Sequence, residues 1–395
     1  MPAVTASSRN GSPNSCEKTA PSDRDTALST ATLTSETGVS FVPALRYKPT
    51  LDPNSTRNNL YKLLTPGIIR DRCIKSHIER MHRRSQIYYS NYPYGQWTPG
   101  LVVTDEMRSA TETYLPMEEI DSALRRLYSL AIRYRPLTSA SVAGSIGNWL
   151  DFLTRHRSIC TGANPALFLE NLLHDETFRI HFLFEHFLPR RHGGGFNRYP
   201  CQSRFLKCHL ESRSHLERDG IRCLDAACGT GEGTYDLAGS LKQWRIPVVR
   251  QGIHGSTIEP LELFAAAHGF FPHDPAREAG FRSVIQSLFD DKALDEVEFL
   301  LEDVSIPRSG DETTYDVILC NGLLGGPALH LEEDIIRTVD SLAGRLRPGG
   351  ILLAADRFHS GWKKLLPASR LMELMSLCRL KVVFTEEGVA ATKGI

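Results

Sequence analysis

The sequence predicts an α/β fold, a doubly wound and mostly parallel sheet preceded by an all-helical region. Three features carry that expectation. Apolar positions recur at helical spacing between about residues 45 and 215. Short apolar runs alternate with helical segments after residue 220, and a glycine-rich turn joins the first of those runs to the first helix.

The first residues are rich in Ser and Thr and poor in large apolar side chains. They bury too little surface to offset the entropy of ordering them, so residues 1–44 are expected to form a disordered tail. In the helical region or cap, 45–215, the stretch Leu115 to Tyr134 puts Ile120, Leu124, Leu127 and Ala131 on one face at spacings of three and four. "NPALFLENLLHDETFRIHFLFEHFLP" opens with an Asn-Pro cap pair and is expected to run as a helix to Pro189.

From 216 to 395 the texture is that of a sheet domain. Strands are expected at 222–226, 253–258, 297–301, 315–320 and 351–355, with helices at 232–244, 260–268, 276–290, 331–346 and 362–378. The final "LKVVFTEEGVAATKGI" adds two strands around Gly388, which makes a seven-stranded, Rossmann-like sheet. Right-handed crossovers would cover both faces, and the terminal hairpin would supply the antiparallel member.

Totals narrow the function. The chain has 395 residues, more than one usual domain. Lys+Arg and Asp+Glu both number 46, so no net charge draws the whole chain to nucleic acid or a membrane. Nine scattered cysteines without a C-x-x-C pair read as reduced thiols of a cytoplasmic protein. No 18-residue apolar run predicts a membrane span, and the first residues lack a signal-peptide core.

"CLDAACGTGEGTYDLA", Cys223 to Ala238, places Gly229, Gly231 and Gly233 on a strand-to-helix turn. Glycine accepts positive φ there and lets a ligand approach the backbone. A dinucleotide fold wants G-x-G-x-x-G and a phosphate at the helix start. The spacing here is G-x-G-x-G, flanked by Asp225 and Glu232, whose charges are of the wrong sign for phosphate. A cationic ligand fits better, and S-adenosyl-L-methionine is one: a sulfonium, an ammonium, a ribose diol and an adenine. Glu259, ending the second strand, would accept both ribose hydroxyls. Asp303 and its neighbour Val304, after the third strand, would meet the adenine; Asn321 follows the fourth strand.

With these residues in place, the chain resembles the class I S-adenosylmethionine-dependent methyltransferases over about 221–395. The loop "AACGTGEGTYDLA", together with "DETFRIHFLFEHFLP" and "GGFNRYPCQSRFLKCHL" upstream, is most similar to the CheR-type chemotaxis-receptor glutamate methyltransferases. The resemblance implies that Arg198 reaches the cofactor's carboxylate, Ala227 and Glu232 line its methionine part, and Glu259 holds its ribose. It departs at "CNGLLGGP", where that family carries an Arg-Asn pair and a Tyr, and in the replacement of a β insertion by helix-like "DPAREAGFRSVIQSLFDD". The cofactor site carries over; the acceptor, a small molecule or a protein side chain methylated on O or N, does not.

Methyl transfer is an in-line displacement that positioning and exclusion of water accelerate without a dedicated catalytic group. Candidate catalytic residues beyond the strand ends are Asn321, Arg357 and His359, with Asp356 beside them. His359 is a general base or a capping side chain, and Arg357 an anchor for an acidic substrate or a partner of Asp356. Cys201, Cys208, His192 and His209 do not fall at zinc-ligand spacings, so no metal is expected. "KSHIERMHRRSQIYYSNYPYGQW", with Arg83 and Arg84, mixes basic and aromatic residues as single-strand binders do, but reads more simply as a solvated helix and packed loop. The alternatives to a methyltransferase of small molecules or side chains are a non-catalytic module that senses the cofactor or binds a partner, and a nucleic-acid methyltransferase.

Overall fold

A computed structural model describes residues 45–92, 97–98, 100–134, 147–160, 162–188, 195–212, 220–308, 314–326, 329–356 and 366–394. The expected tail therefore lies outside the described residues, as do Arg357, His359 and His192.

The N-terminal region forms α1 (Pro53–Leu63), α2 (Arg72–Asn91), α3 (Asp105–Tyr114), α4 (Met117–Ala131), α5 (Trp149–Arg155), α6 (Pro165–His174), α7 (Glu176–His186) and α8 (Pro200–Glu211). Ile120, Leu124, Leu127 and Ala131 of α4 are all buried, as their spacing predicts. The helix expected from Asn-Pro to Pro189 is instead two. Asp175 ends α6 and starts α7, its carboxylate accepting from the Phe178 N–H at 2.9 Å. A short acidic side chain at that point satisfies an orphan N–H better than it continues a helix. Asn164 caps α6 as the sequence suggests, accepting from Ala166 N–H at 2.9 Å.

The region is not all helical: Arg46–Tyr47 forms a short strand, β1, on the sheet's edge. The remaining strands are β2 (Ile221–Ala226), β3 (Val248–Thr257), β4 (Val297–Leu301), β5 (Tyr315–Leu319), β6 (Leu346–Ala354), β7 (Leu380–Thr385) and β8 (Gly388–Lys393). They alternate with α9 (Glu232–Gln243), α10 (Pro260–His268), α11 (Pro275–Asp290), α12 (Glu332–Arg345) and α13 (Ala368–Leu377). Every strand expected after residue 220 is present; β3 and β6 begin five residues earlier than their apolar runs do.

The sheet has eight strands rather than seven, in the order β1-β4-β3-β2-β5-β6-β8-β7. It is mixed: β4, β3, β2, β5 and β6 run parallel, while β1, β7 and β8 add antiparallel pairings. The eighth strand is β1, two residues too short to leave a periodic signal.

Alternate strand residues face opposite ways, and both faces are covered. Cys223, Ile253, Phe299, Val317 and Leu353 join α9–α11 in a core that continues into the helical layer. Leu224, Ile318, Leu352 and Ala354 pack against α12 and α13. The sheet is doubly wound, and the strand order reverses between the parallel neighbours β2 and β5. In open α/β sheets the crevice beyond that point is where ligands bind.

Candidate functional site

A cleft of about 390 Å³ opens at that reversal, lined by the ends of β2 and β5, the start of α9 and the flank of α8. The size suits a small-molecule ligand. Of the residues expected to bind cofactor, Arg198, Asp225, Ala227, Glu232 and Asn321 line it.

The turn after β2 is left-handed at alternate residues: φ is +61° at Ala227, +59° at Gly229 and +91° at Gly231. Cys228 N–H bonds Ser256 O at 2.8 Å and Gly231 N–H bonds Cys228 O at 3.0 Å, which pins the turn to β3 and to itself. Gly231 does not line the cleft. A Cβ there would lie 3.0 Å from both Ala266 Cβ and Phe299 Cζ, so its bareness serves packing of the turn against α10 and β4. Gly233 does line the cleft, and its Cβ would lie 3.1 Å from an Asp225 oxygen. There the missing side chain keeps space beside a carboxylate.

Three carboxylates border the cleft: Asp225, Glu232 and Asp236. Asp225 is almost fully buried and accepts from Thr234 Oγ1 at 2.7 Å. Glu232 accepts from Thr230 Oγ1 at 2.7 Å and pairs with Arg277 of α11 at 3.0 Å. Arg277 itself rests over the Phe271 ring, 4.1 Å from its centroid, so one of the two expected negative flanks has a fixed countercharge. Asp236, one helical turn after Glu232, accepts the Asn197 N–H; burial pushes its carboxyl up to about 6. Arg198, next to Tyr199 at the start of α8, is the one cation among the described lining residues.

Asn321 is held on both sides. It exchanges two hydrogen bonds with Gln202 of α8, at 3.0 and 2.8 Å, and accepts from Ala355 N–H at 2.9 Å. Its carboxamide thus joins β5, β6 and α8 and fixes the wall of the cleft.

Glu259, Asp303, Val304, Gly229 and Gly231 are not among the described residues of the lining. Glu259 stands at the end of β3, only 6% exposed, and its carboxylate accepts from the Tyr128 hydroxyl of α4. Burial raises its carboxyl to about 7, and the Tyr128 phenol is raised as well, by burial and by the carboxylate's charge. The Tyr128 ring packs 4.3 Å from that of Phe187, so the helical layer covers this carboxylate. Asp303 folds back on its own loop, accepting from Ser305 N–H at 2.9 Å and Ser305 Oγ at 2.6 Å, while Val304 is buried in the core. Among the described residues no group of His, Cys, Asp and Glu is arranged to hold a metal ion. None of the eight described cysteines is in a disulfide, and no described helix is long and apolar enough to cross a membrane.

Gln202, Asp236, Arg277 and Tyr128 are site residues that sequence reasoning missed. Asp236 had a signal, its i,i+4 relation to Glu232 on one helix face. Gln202 and Arg277 lie in stretches the resemblance drew on, without a signal of their own, and Tyr128 lies about a hundred residues before the turn.

No family model matches the sequence, and neither does any curated protein. Among solved structures the chain is similar to the N-methyltransferase NodS from Bradyrhizobium japonicum WM9, at 12% identity and a TM-score of 0.32, with 50% of this chain and 98% of that one covered. It is also similar to magnesium protoporphyrin IX methyltransferase (ChlM) from Synechocystis PCC 6803 with bound SAH, at 13% identity, 55% and 93% coverage and a TM-score of 0.31. A third is the sugar N-methyltransferase KedS8 from Streptoalloteichus sp ATCC 53650, at 13% identity, 49% and 87% coverage and a TM-score of 0.33. Likenesses this distant assign no reaction to this chain.

Proposed function

We propose that the chain is an S-adenosyl-L-methionine-dependent methyltransferase acting on an oxygen or nitrogen of a small molecule or protein side chain in the cytoplasm. The observation that carries the reading is the cleft at the sheet's reversal, where three carboxylates and one guanidinium border a glycine-rich turn. A phosphate ligand would meet the wrong charge there. A ligand with a carboxylate, an ammonium and a sulfonium would find Arg198 for the first and Asp225 and Asp236 for the cationic groups.

The cofactor supplies an activated methyl group. The chain's part is to bind and orient it. Arg198 anchors one end, the left-handed turn at Ala227 to Gly231 admits close approach, and Gly233 leaves room beside Asp225. The Asn321–Gln202 pair fixes the wall beyond β5 against which the cofactor would be oriented. Glu259 belongs to this reading as the ribose acceptor only if the diol reaches it alongside Tyr128, which engages one of its oxygens.

Calorimetry with S-adenosylhomocysteine tests the reading. Saturable binding is expected, weakened about tenfold or more in Arg198→Ala, a loss of about 1.4 kcal/mol or greater. Folded protein that binds no S-adenosylhomocysteine, or binds NADH instead, would overturn it.

A second reading, a non-catalytic module that senses the cofactor, is favoured by the commitment of Asn321 to structural bonds on both sides of its carboxamide. Tight cofactor binding without methyl transfer to any protein or metabolite fraction would decide for it. A nucleic-acid acceptor fits less well: Arg84 and Arg80 share Glu119, which leaves the α2 face partly neutralised.

A further inference from the structure

An arginine from outside the β2–α9 unit is bonded into the turn that joins them. Arg277 lies in the first turn of α11, just after the cap residue Asp274 and Pro275. A cation there opposes the helix dipole, which favours carboxylates at that end. Its guanidinium reaches across to the start of α9 instead. The Nη2 group donates to Thr230 Oγ1 at 2.8 Å and to Glu232 Oε1 at 3.0 Å, and Thr230 Oγ1 donates to Glu232 Oε2 at 2.7 Å. The buried Phe271 ring backs the guanidinium from 4.1 Å.

Glu232 lines the cleft, and its side chain is only 12% exposed, against 29% for that of Arg277. Charges so far withdrawn from water act on a neighbouring ligand with little screening. Alone, the Glu232 carboxylate would attract a cation in the cleft. With Arg277 beside it, most of that attraction is cancelled.

S-adenosylmethionine and S-adenosylhomocysteine share a carboxylate, an ammonium, a ribose and an adenine. They differ by one methyl group and by the positive charge on sulfur. The ratio of their affinities therefore reads the charge that the cleft presents to the sulfur. A bare carboxylate would raise that ratio, and would hold the charged cofactor more firmly than a transition state in which the sulfur is losing its charge.

We propose that Arg277 is a specificity-determining residue which, through Glu232, sets how strongly the cleft prefers the sulfonium cofactor to its neutral thioether. The proposal rests on the cofactor reading of the cleft.

Calorimetry of both ligands at neutral pH, on the full chain and its variants, tests it. Arg277→Gln is expected to raise the ratio of S-adenosylmethionine to S-adenosylhomocysteine affinity about fivefold. Glu232→Gln leaves the guanidinium without its countercharge and is expected to lower the ratio by about the same factor. Arg277→Lys keeps the charge, and the double variant Arg277→Gln/Glu232→Gln removes both charges. Each is expected to stay within about twofold of the wild-type ratio. A purely structural role for the pair would weaken both ligands alike and leave the ratio unmoved. An unchanged ratio in Arg277→Gln, or shifts of the same sign in Arg277→Gln and Glu232→Gln, would overturn the proposal while leaving the cofactor reading intact. Should Glu232→Gln fail to fold, the contrast between Arg277→Gln and Arg277→Lys decides the matter alone. A folded wild type that binds neither ligand would overturn the cofactor reading, and the proposal with it.

Discussion

Glu259 offers the sharpest physical prediction. Its carboxyl is buried beneath Tyr128 and Phe187 and titrates near 7, against 4.5 for an ordinary glutamate. The folded protein therefore holds this proton more tightly than the unfolded chain does. The stabilisation is complete below about pH 4.5 and is lost as the pH rises through about 7. The full difference corresponds to about 3 kcal/mol, of which about 2–3 kcal/mol falls between pH 5 and pH 8. Glu259→Gln keeps an acceptor for the Tyr128 hydroxyl and cannot ionise. Urea unfolding of both proteins at pH 5, 6, 7 and 8 is expected to show the variant gaining on the wild type by about 2–3 kcal/mol across that range. Parallel stability profiles would refute the reasoning, because they would mean that the carboxylate ionises as easily in the fold as out of it.

Other outcomes follow from the same contacts. Gly231→Ala puts a Cβ 3.0 Å from Ala266 and Phe299 on a backbone at φ +91°, and is expected to cost about 1–3 kcal/mol in chemical unfolding. A loss under about 0.5 kcal/mol would show that the turn has slack. Asp175→Ala removes the cap of α7 and is expected to cost about 1 kcal/mol, with Asp175→Asn restoring most of it. Glu302 sits between Arg308 and Arg345, at 2.6 and 2.8 Å. Burial works against its charge, but the bonds and charges of the two arginines prevail and hold its pKa below the ordinary value. Its stabilisation is present above pH 4.5 and fades as the pH falls through the lower folded value. Glu302→Gln leaves two guanidinium groups without their countercharge and is expected to cost about 3–5 kcal/mol at pH 7 and to flatten the acid side of the stability profile.

Much of the sheet was legible because parallel strands buried on both faces leave runs that are apolar but for one acidic residue, as at Val297–Leu301 and Tyr315–Leu319. β1 was not, since two residues carry no period, and its place is set by pairing with β4 some 250 positions away. The α6–α7 break shows a single side chain overriding periodicity: the apolar spacing runs through Asp175, and the cap interrupts it. At the site, Asp225 and Glu232 were readable from their places around the glycine turn and Ala227 from the family resemblance, and all three line the cleft. Glu259 and Asp303 were readable as strand-end carboxylates, but what they face depends on α4 and on a local loop turn. Arg277 neutralising Glu232 and Gln202 clamping Asn321 depend on packing between distant elements, which no local pattern encodes.

The most direct test of the cofactor claim is a crystal structure of the full chain grown with saturating S-adenosylhomocysteine. The account predicts its density in the cleft between the ends of β2 and β5, with its carboxylate beside Arg198 and its amino group toward Asp225 or Asp236. An empty cleft at saturation, or the ligand bound elsewhere on the chain, would contradict it.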